Sequence, residues 1–125
     1  MTVSGDDIMK IAARAAGEAQ VLGWPGVYMV AATILDRLAS MDFPDDLDEV
    51  LKAYCAPDAS PVQRWHIEAV LAAVRDAGDI EPLYYALSRE DIQRLGVPRE
   101  RADYVLERGR WGLYLFREWP VEKSS

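Results

Sequence analysis

The sequence contains one cysteine and one histidine among its 125 residues. Because Cys55 has no second cysteine to bond, we expect packing alone to hold the fold together. The longest apolar run, VYMVAATIL at 27–35, is too short to cross a bilayer as a helix, so we expect no membrane span. No basic stretch precedes an apolar segment in MTVSGDDIMK, and we therefore expect no secretory signal peptide.

Positive charge is also scarce, since 14 Lys and Arg face 21 Asp and Glu and the formal net charge is −7. Nucleic-acid binding needs clustered cations for the phosphates, so we expect no nucleic-acid partner. The segment IQRLGVPRERADYVLERG (92–109) faintly resembles a helix-hairpin-helix, but it has only Gly96 of the two usual glycines. His66 has no Cys or His cluster around it and belongs to no Ser-His-Asp signature, so no metal and no cofactor are expected.

The composition that is present is that of an ordinary globular protein, with 50% hydrophobic and 28% charged residues. A chain of this length fits one domain, residues 1–125. Apolar residues at helical spacing predict a first helix that begins near Asp6 and Asp7 and runs to about Gly23. Three further helices are predicted: an apolar, central one from Pro25 to 40, a short one over 45–54, and one over 61–77 with Ser60 as its N-cap.

After Gly78 the pattern changes. PLYYAL (82–87) predicts a short strand, and Ser88 with Asp91 predicts a capping box for a helix over REDIQRL (89–95). RERADYVLERG (99–109) predicts a last helix, and the aromatic segment RWGLYLFREW (110–119) predicts a strand. The expected fold is therefore α+β, mainly helical and compact, with a small antiparallel sheet of two strands.

Glu18 is the residue that departs most from its surroundings. It follows Ile11 by seven positions, which returns it to within about 20° of that residue around a helix and puts it on or beside the core-facing stripe. Poor hydration and the negative end of the helix dipole would both favour a protonated carboxyl, as a general acid requires. A solvated surface glutamate, or one paired with Arg14 at i−4, fits the same spacing, and geometry leaves both interpretations open.

The order of motifs in residues 8–54 resembles the spore-cortex-lytic germination hydrolases, a family of cell wall hydrolases. The resemblance lies in Glu18-Ala19, the glycine turn at Gly23 and Gly26, the segment VAATILDRL (30–38), and a Phe-Pro pair at 43–44, with PLYYAL similar to a later aromatic segment. The chain departs from the family pattern at Asp36, where an asparagine is usual, and at CAPDAS (55–60). The resemblance implies a lysozyme-like or lytic-transglycosylase-like single domain that cleaves peptidoglycan with Glu18 as its only catalytic carboxyl.

Other residues follow from that expectation. Trp24, Tyr85 and Trp111 are the aromatic candidates for stacking on the sugars of peptidoglycan glycan strands, with core packing as the alternative for each. Asp36 and Arg37 form either a supporting catalytic pair or a structural ion pair, and we favour the structural interpretation.

We expect a protein that is encoded by a phage or prophage, is made in the cytoplasm and, as an enzyme, acts at the cell wall. The rival hypothesis is an acidic interaction or scaffold domain that kept the hydrolase fold without its activity, because enzymes that act on anionic walls are often basic.

Overall fold

Two long helices form the centre of the fold. Residues 3–121 are described by a computed structural model, in which α1 spans Gly5–Ala19 and α2 spans Gly23–Ala39, joined by a 3-10 turn at Gln20–Leu22. Ser4 caps α1 by accepting a hydrogen bond from the amide of Asp7, whose carboxylate accepts one from the amide of Ser4, each at 3.1 Å. Both predicted helices are confirmed, although Gly23 begins α2 instead of ending α1.

Two shorter helices pack onto this pair. α3 spans Leu47–Leu51 and α4 spans Arg64–Asp76. α2 contacts α1, α3 and α4, which agrees with its predicted central position. The predicted start of α4 at 61 is wrong, because Gln63 has an extended backbone and its amide donates to Nδ1 of His66, so the helix begins three residues later.

The C-terminal third forms a three-stranded antiparallel sheet with one helix. β1 spans Tyr85–Ser88, α5 spans Arg89–Leu95, β2 spans Tyr104–Arg108 and β3 spans Trp111–Phe116, in the spatial order β1-β3-β2. The capping box that starts α5 is present as predicted, and Gly96 ends the helix with φ +70°.

The predicted last helix over 99–109 is wrong. This segment forms a 3-10 turn at Arg99–Arg101 and then β2, so a helix-hairpin-helix is also excluded there. Arg108 pairs with Trp111, which leaves Gly109 and Arg110 as a two-residue hairpin turn. Gly109 has φ +58°, the positive φ that the first central position of such a turn requires, and the sheet gains a third strand.

The sheet is covered on both faces. Along β3, Leu113 and Leu115 pack into the main helical core, whereas Tyr114 and Phe116 pack into a second cluster with Ile92 of α5. Because successive strand residues point to opposite faces, one continuous apolar strand serves both clusters. No helix among residues 3–121 has both the length and the apolarity needed to cross a membrane.

Candidate functional site

A depression of about 690 Å³ lies where α1, α5 and the β2–β3 hairpin meet. The last turn of α1 contributes Glu18, α5 contributes Glu90 and Gln93, and the hairpin contributes Arg110 and Trp111. We call this depression the hairpin hollow. It combines two carboxylates, an amide, two guanidinium groups (Arg89 is the second) and an indole, the side-chain types that bind hydroxylated ring ligands.

Glu18 is exposed at the edge of this hollow, and its Oε1 accepts a hydrogen bond from the amide of Ala56 at 2.9 Å. The interpretation as a poorly hydrated carboxyl is therefore wrong, and the alternative of a solvated surface glutamate is confirmed. Ala15 and Ala19 occupy the core-facing stripe and are buried, while position 18 has turned just far enough around the helix to reach solvent. The free protein does not desolvate this carboxyl as the sequence argument required.

The segment that Glu18 contacts is held against α1 at several points. Arg14 donates through Nη1 to the carbonyls of Leu51 and Tyr54 and through Nε to Asp58 at 2.7 Å, so Arg14 does not pair with Glu18. Gly17 lies so close to this segment that a Cβ built there would be 2.0 Å from the carbonyl oxygen of Pro57. Residues 51–59 thus form a tethered wall beside the hollow.

Tyr54 contributes a buried hydroxyl behind this wall. Its oxygen lies 2.8 Å from Oγ1 of Thr33, and that hydroxyl donates its only hydrogen to the carbonyl of Val30. Tyr54 is therefore the donor in the pair. Burial raises the pKa of Tyr54 to about 12, so the ring is neutral at physiological pH.

Of the three aromatic candidates, the hollow contains Trp111 alone. This residue is 44% exposed, which leaves surface for a ligand. Trp24 lies outside the lining and stacks on Tyr28 with ring centroids 5.1 Å apart. Tyr85 lies in a separate depression of about 400 Å³, in contact with the ring of Phe43. Both therefore pack against neighbouring rings instead of facing Glu18.

Asp36 and Arg37 do not form an ion pair with each other. Oδ2 of Asp36 accepts from the amide of Leu83 at 3.0 Å, and Nε of Arg37 donates to the carbonyl of Tyr84 at 2.7 Å. Burial raises the pKa of the Asp36 carboxyl. The Arg37 guanidinium lies over three rings, those of Phe43, Tyr54 and Tyr85. These residues fix the segment that leads into β1 and lie outside the hairpin hollow.

His66 is fully buried and also lies outside the hollow. Its Nδ1 accepts from the amide of Gln63 at 3.0 Å, while Nε2 has no hydrogen-bond partner among residues 3–121. Burial lowers the pKa of this imidazole. Over the same residues, no group of three or more His, Cys, Asp or Glu side chains is arranged to hold a metal ion.

Sequence reasoning did not select Glu90, Gln93 or Arg110 as site residues. The capping box at Ser88 could have placed Glu90 in the first turn of a helix, but not beside α1. Arg110 could have been found only by interpreting Gly109 as a hairpin turn, which the helix prediction over 99–109 prevented.

No family model, curated protein or solved structure matches this chain. What the structure establishes is the class: a single, mainly helical α+β domain with a small three-stranded antiparallel sheet.

Proposed function

We propose that this protein cleaves the glycan strands of peptidoglycan as a lytic transglycosylase, with Glu18 acting as acid and then as base. The observation that carries the proposal is that the Glu18 carboxylate and the exposed indole of Trp111 line the same hollow. A carboxyl beside an aromatic face is the minimum a sugar-cleaving site needs: one group to transfer the proton and one surface to hold the ring.

The chemistry requires a single carboxyl because the sugar supplies its own nucleophile. Glu18 donates a proton to the glycosidic oxygen as the bond to the anomeric carbon breaks. The resulting carboxylate then takes the proton of the muramyl 6-hydroxyl, whose oxygen closes an anhydro ring on that carbon. Desolvation of Glu18, which the free protein lacks, is provided by the glycan chain when it covers the carboxyl.

Purified peptidoglycan provides the direct test. We expect the protein to release muropeptides that end in an anhydro ring, detected by mass spectrometry, and Glu18→Gln to release none. The glutamine variant is a sharp control because its side-chain oxygen still accepts the Ala56 hydrogen bond while the group no longer transfers a proton. Glu18→Ala removes both functions, so comparing the two variants separates chemistry from the tethering of residues 51–59.

Substitution of Glu90 distinguishes transglycosylation from hydrolysis, because Glu90 is a second carboxylate in the same hollow. Glycosidases that hydrolyse use two carboxyl groups, about 5 Å apart for retention and about 6.5–9.5 Å apart for inversion. If the products have ordinary reducing ends, and both Glu90→Gln and Glu18→Gln abolish them, the mechanism is hydrolysis and not transglycosylation. Products that persist in Glu18→Gln would contradict the assigned role of Glu18.

One observation favours the rival function, an inactive acidic interaction or scaffold domain. The bond from the Ala56 amide gives Glu18 a structural task that needs no catalysis. Under that hypothesis peptidoglycan is left intact by the wild-type protein, and Glu18→Gln changes neither stability nor binding of the partner.

A further inference from the structure

The tip of the β2–β3 hairpin pairs the Trp111 indole with a cation, Arg110, to which the proposed chemistry gives no role. The Arg110 guanidinium lies 4.8 Å from the centroid of the Trp111 ring, and both residues are exposed. Both also line the hairpin hollow, together with Glu18. The cation–π contact holds the guanidinium over one face of the indole, so the charge and the remaining ring surface are presented to the same ligand.

Arg110 is available for a ligand in a way that the neighbouring arginine is not. Arg89 also lines the hollow, but it donates to the Tyr114 hydroxyl, the Gly109 carbonyl and the Glu107 carboxylate. Within residues 3–121, Arg110 forms no ion pair with any carboxylate. The hollow therefore contains one cation whose partner is not supplied by the described part of the protein.

We propose that Arg110 and Trp111 form a subsite for a carboxylate-bearing sugar residue, in which the indole packs on the ring and the guanidinium binds the carboxylate. The inference rests on the proposed function, since it assumes a glycan in the hollow, and it applies to muramyl residues whose lactyl carboxylate carries no peptide. A guanidinium is the side chain best suited to a carboxylate because its parallel N–H groups match the two oxygens.

The carboxylates of the hollow favour a glycan over a nucleic acid. Glu18 and Glu90 accept hydrogen bonds from hydroxyl groups, which sugars offer in number. The same two carboxylates repel a phosphodiester chain, which brings one negative charge per nucleotide. One cation without an ion-pair partner among residues 3–121, beside two acids, suits a chain with spaced negative charges on a hydroxylated backbone.

The experiment compares two tetrasaccharides that differ in their carboxylates. One alternates GlcNAc and MurNAc, and the other is chitotetraose, which has the same backbone linkage and no carboxylate. Binding is measured by tryptophan fluorescence and by calorimetry, with Glu18→Gln as the parent protein so that cleavage does not interfere. We expect the carboxylate-bearing sugar to bind about tenfold tighter, the effect of one charged hydrogen-bonding contact.

The variants assign that preference to the hairpin tip. Arg110→Gln should bind both saccharides with equal affinity, and Trp111→Ala should weaken both. The matched control is Arg101→Gln, because Arg101 is also exposed and lies outside the hollow, and it should keep the tenfold preference. Tetragalacturonate is the third saccharide, because its carboxylate is attached to a ring carbon, whereas that of MurNAc is on the lactyl ether. Comparing its affinity with that of the MurNAc saccharide shows which position of the carboxylate the subsite accepts.

The outcomes separate this inference from the function on which it rests. Equal affinity for the two saccharides in the Glu18→Gln parent, or a preference that survives the addition of Arg110→Gln, would overturn the subsite and leave glycan cleavage standing. No binding of either saccharide would overturn both. Tighter binding of oligothymidylate that depends on Arg110 would replace the sugar subsite by a single-strand nucleic-acid site.

Discussion

Gly17 offers the most demanding test of how the wall of the hairpin hollow is built. A methyl group at this position would lie 2.0 Å from the carbonyl oxygen of Pro57, and ordinary contact begins at 3.4 Å. Gly17→Ala therefore forces the Pro57 backbone away from α1, which in a packed site lowers the free energy of unfolding by about 1–3 kcal/mol. The displaced segment also contributes the bond from the Ala59 amide to the Ala13 carbonyl, 2.9 Å long, whose loss costs about 1 kcal/mol.

The opposing effect is helix propensity, which favours alanine over glycine in a helix interior by about 1 kcal/mol. The net expectation for Gly17→Ala is a loss of about 2 kcal/mol, or a fall of about 8 °C in Tm for a chain of this size. Urea and thermal unfolding followed by circular dichroism measure both quantities. Gly5→Ala is the matched control in the same helix, because nothing lies within 4 Å of a Cβ there. A Gly17→Ala protein as stable as the wild type would refute the close approach.

Two further predictions concern charged groups that join separate elements. The Tyr114 hydroxyl, followed by the Arg99 guanidinium, lowers the pKa of Glu107 from 4.5 to about 2. Because the unfolded chain binds this proton first as the pH falls, the stabilisation by the Glu107 carboxylate is complete above about pH 5 and fades toward pH 2. The difference in unfolding free energy between wild type and Glu107→Gln should therefore shrink over that range. A difference independent of pH would contradict the assignment. Arg14→Lys should cost about 2 kcal/mol in urea unfolding, because a lysine cannot reproduce the fork that holds Tyr54 and Asp58 against α1. A loss below about 0.5 kcal/mol would contradict that role.

Local signals in the sequence predicted much of the fold. The apolar spacing of α1 and α2, the capping box of α5 and the aromatic run of β3 are patterns within one element, and the structure confirms each. The failure over 99–109 has a physical cause. That segment has helix-compatible residues, and it becomes β2 because its backbone pairs with β3 across a turn at Gly109.

The residues of the candidate site also include some that the sequence identifies and some that only the tertiary structure identifies. From the sequence alone Glu18 is recognisable as the unusual acid of the first helix, and Trp111 as an aromatic residue of a predicted strand, because residue type and spacing are local properties. Only the tertiary structure decided that these two side chains share a hollow, that Trp24 and Tyr85 lie elsewhere, and that Glu90 and Arg110 join them. It also decided that Glu18 is exposed and bonded to Ala56, since a carboxyl's hydration depends on which distant segment packs beside it.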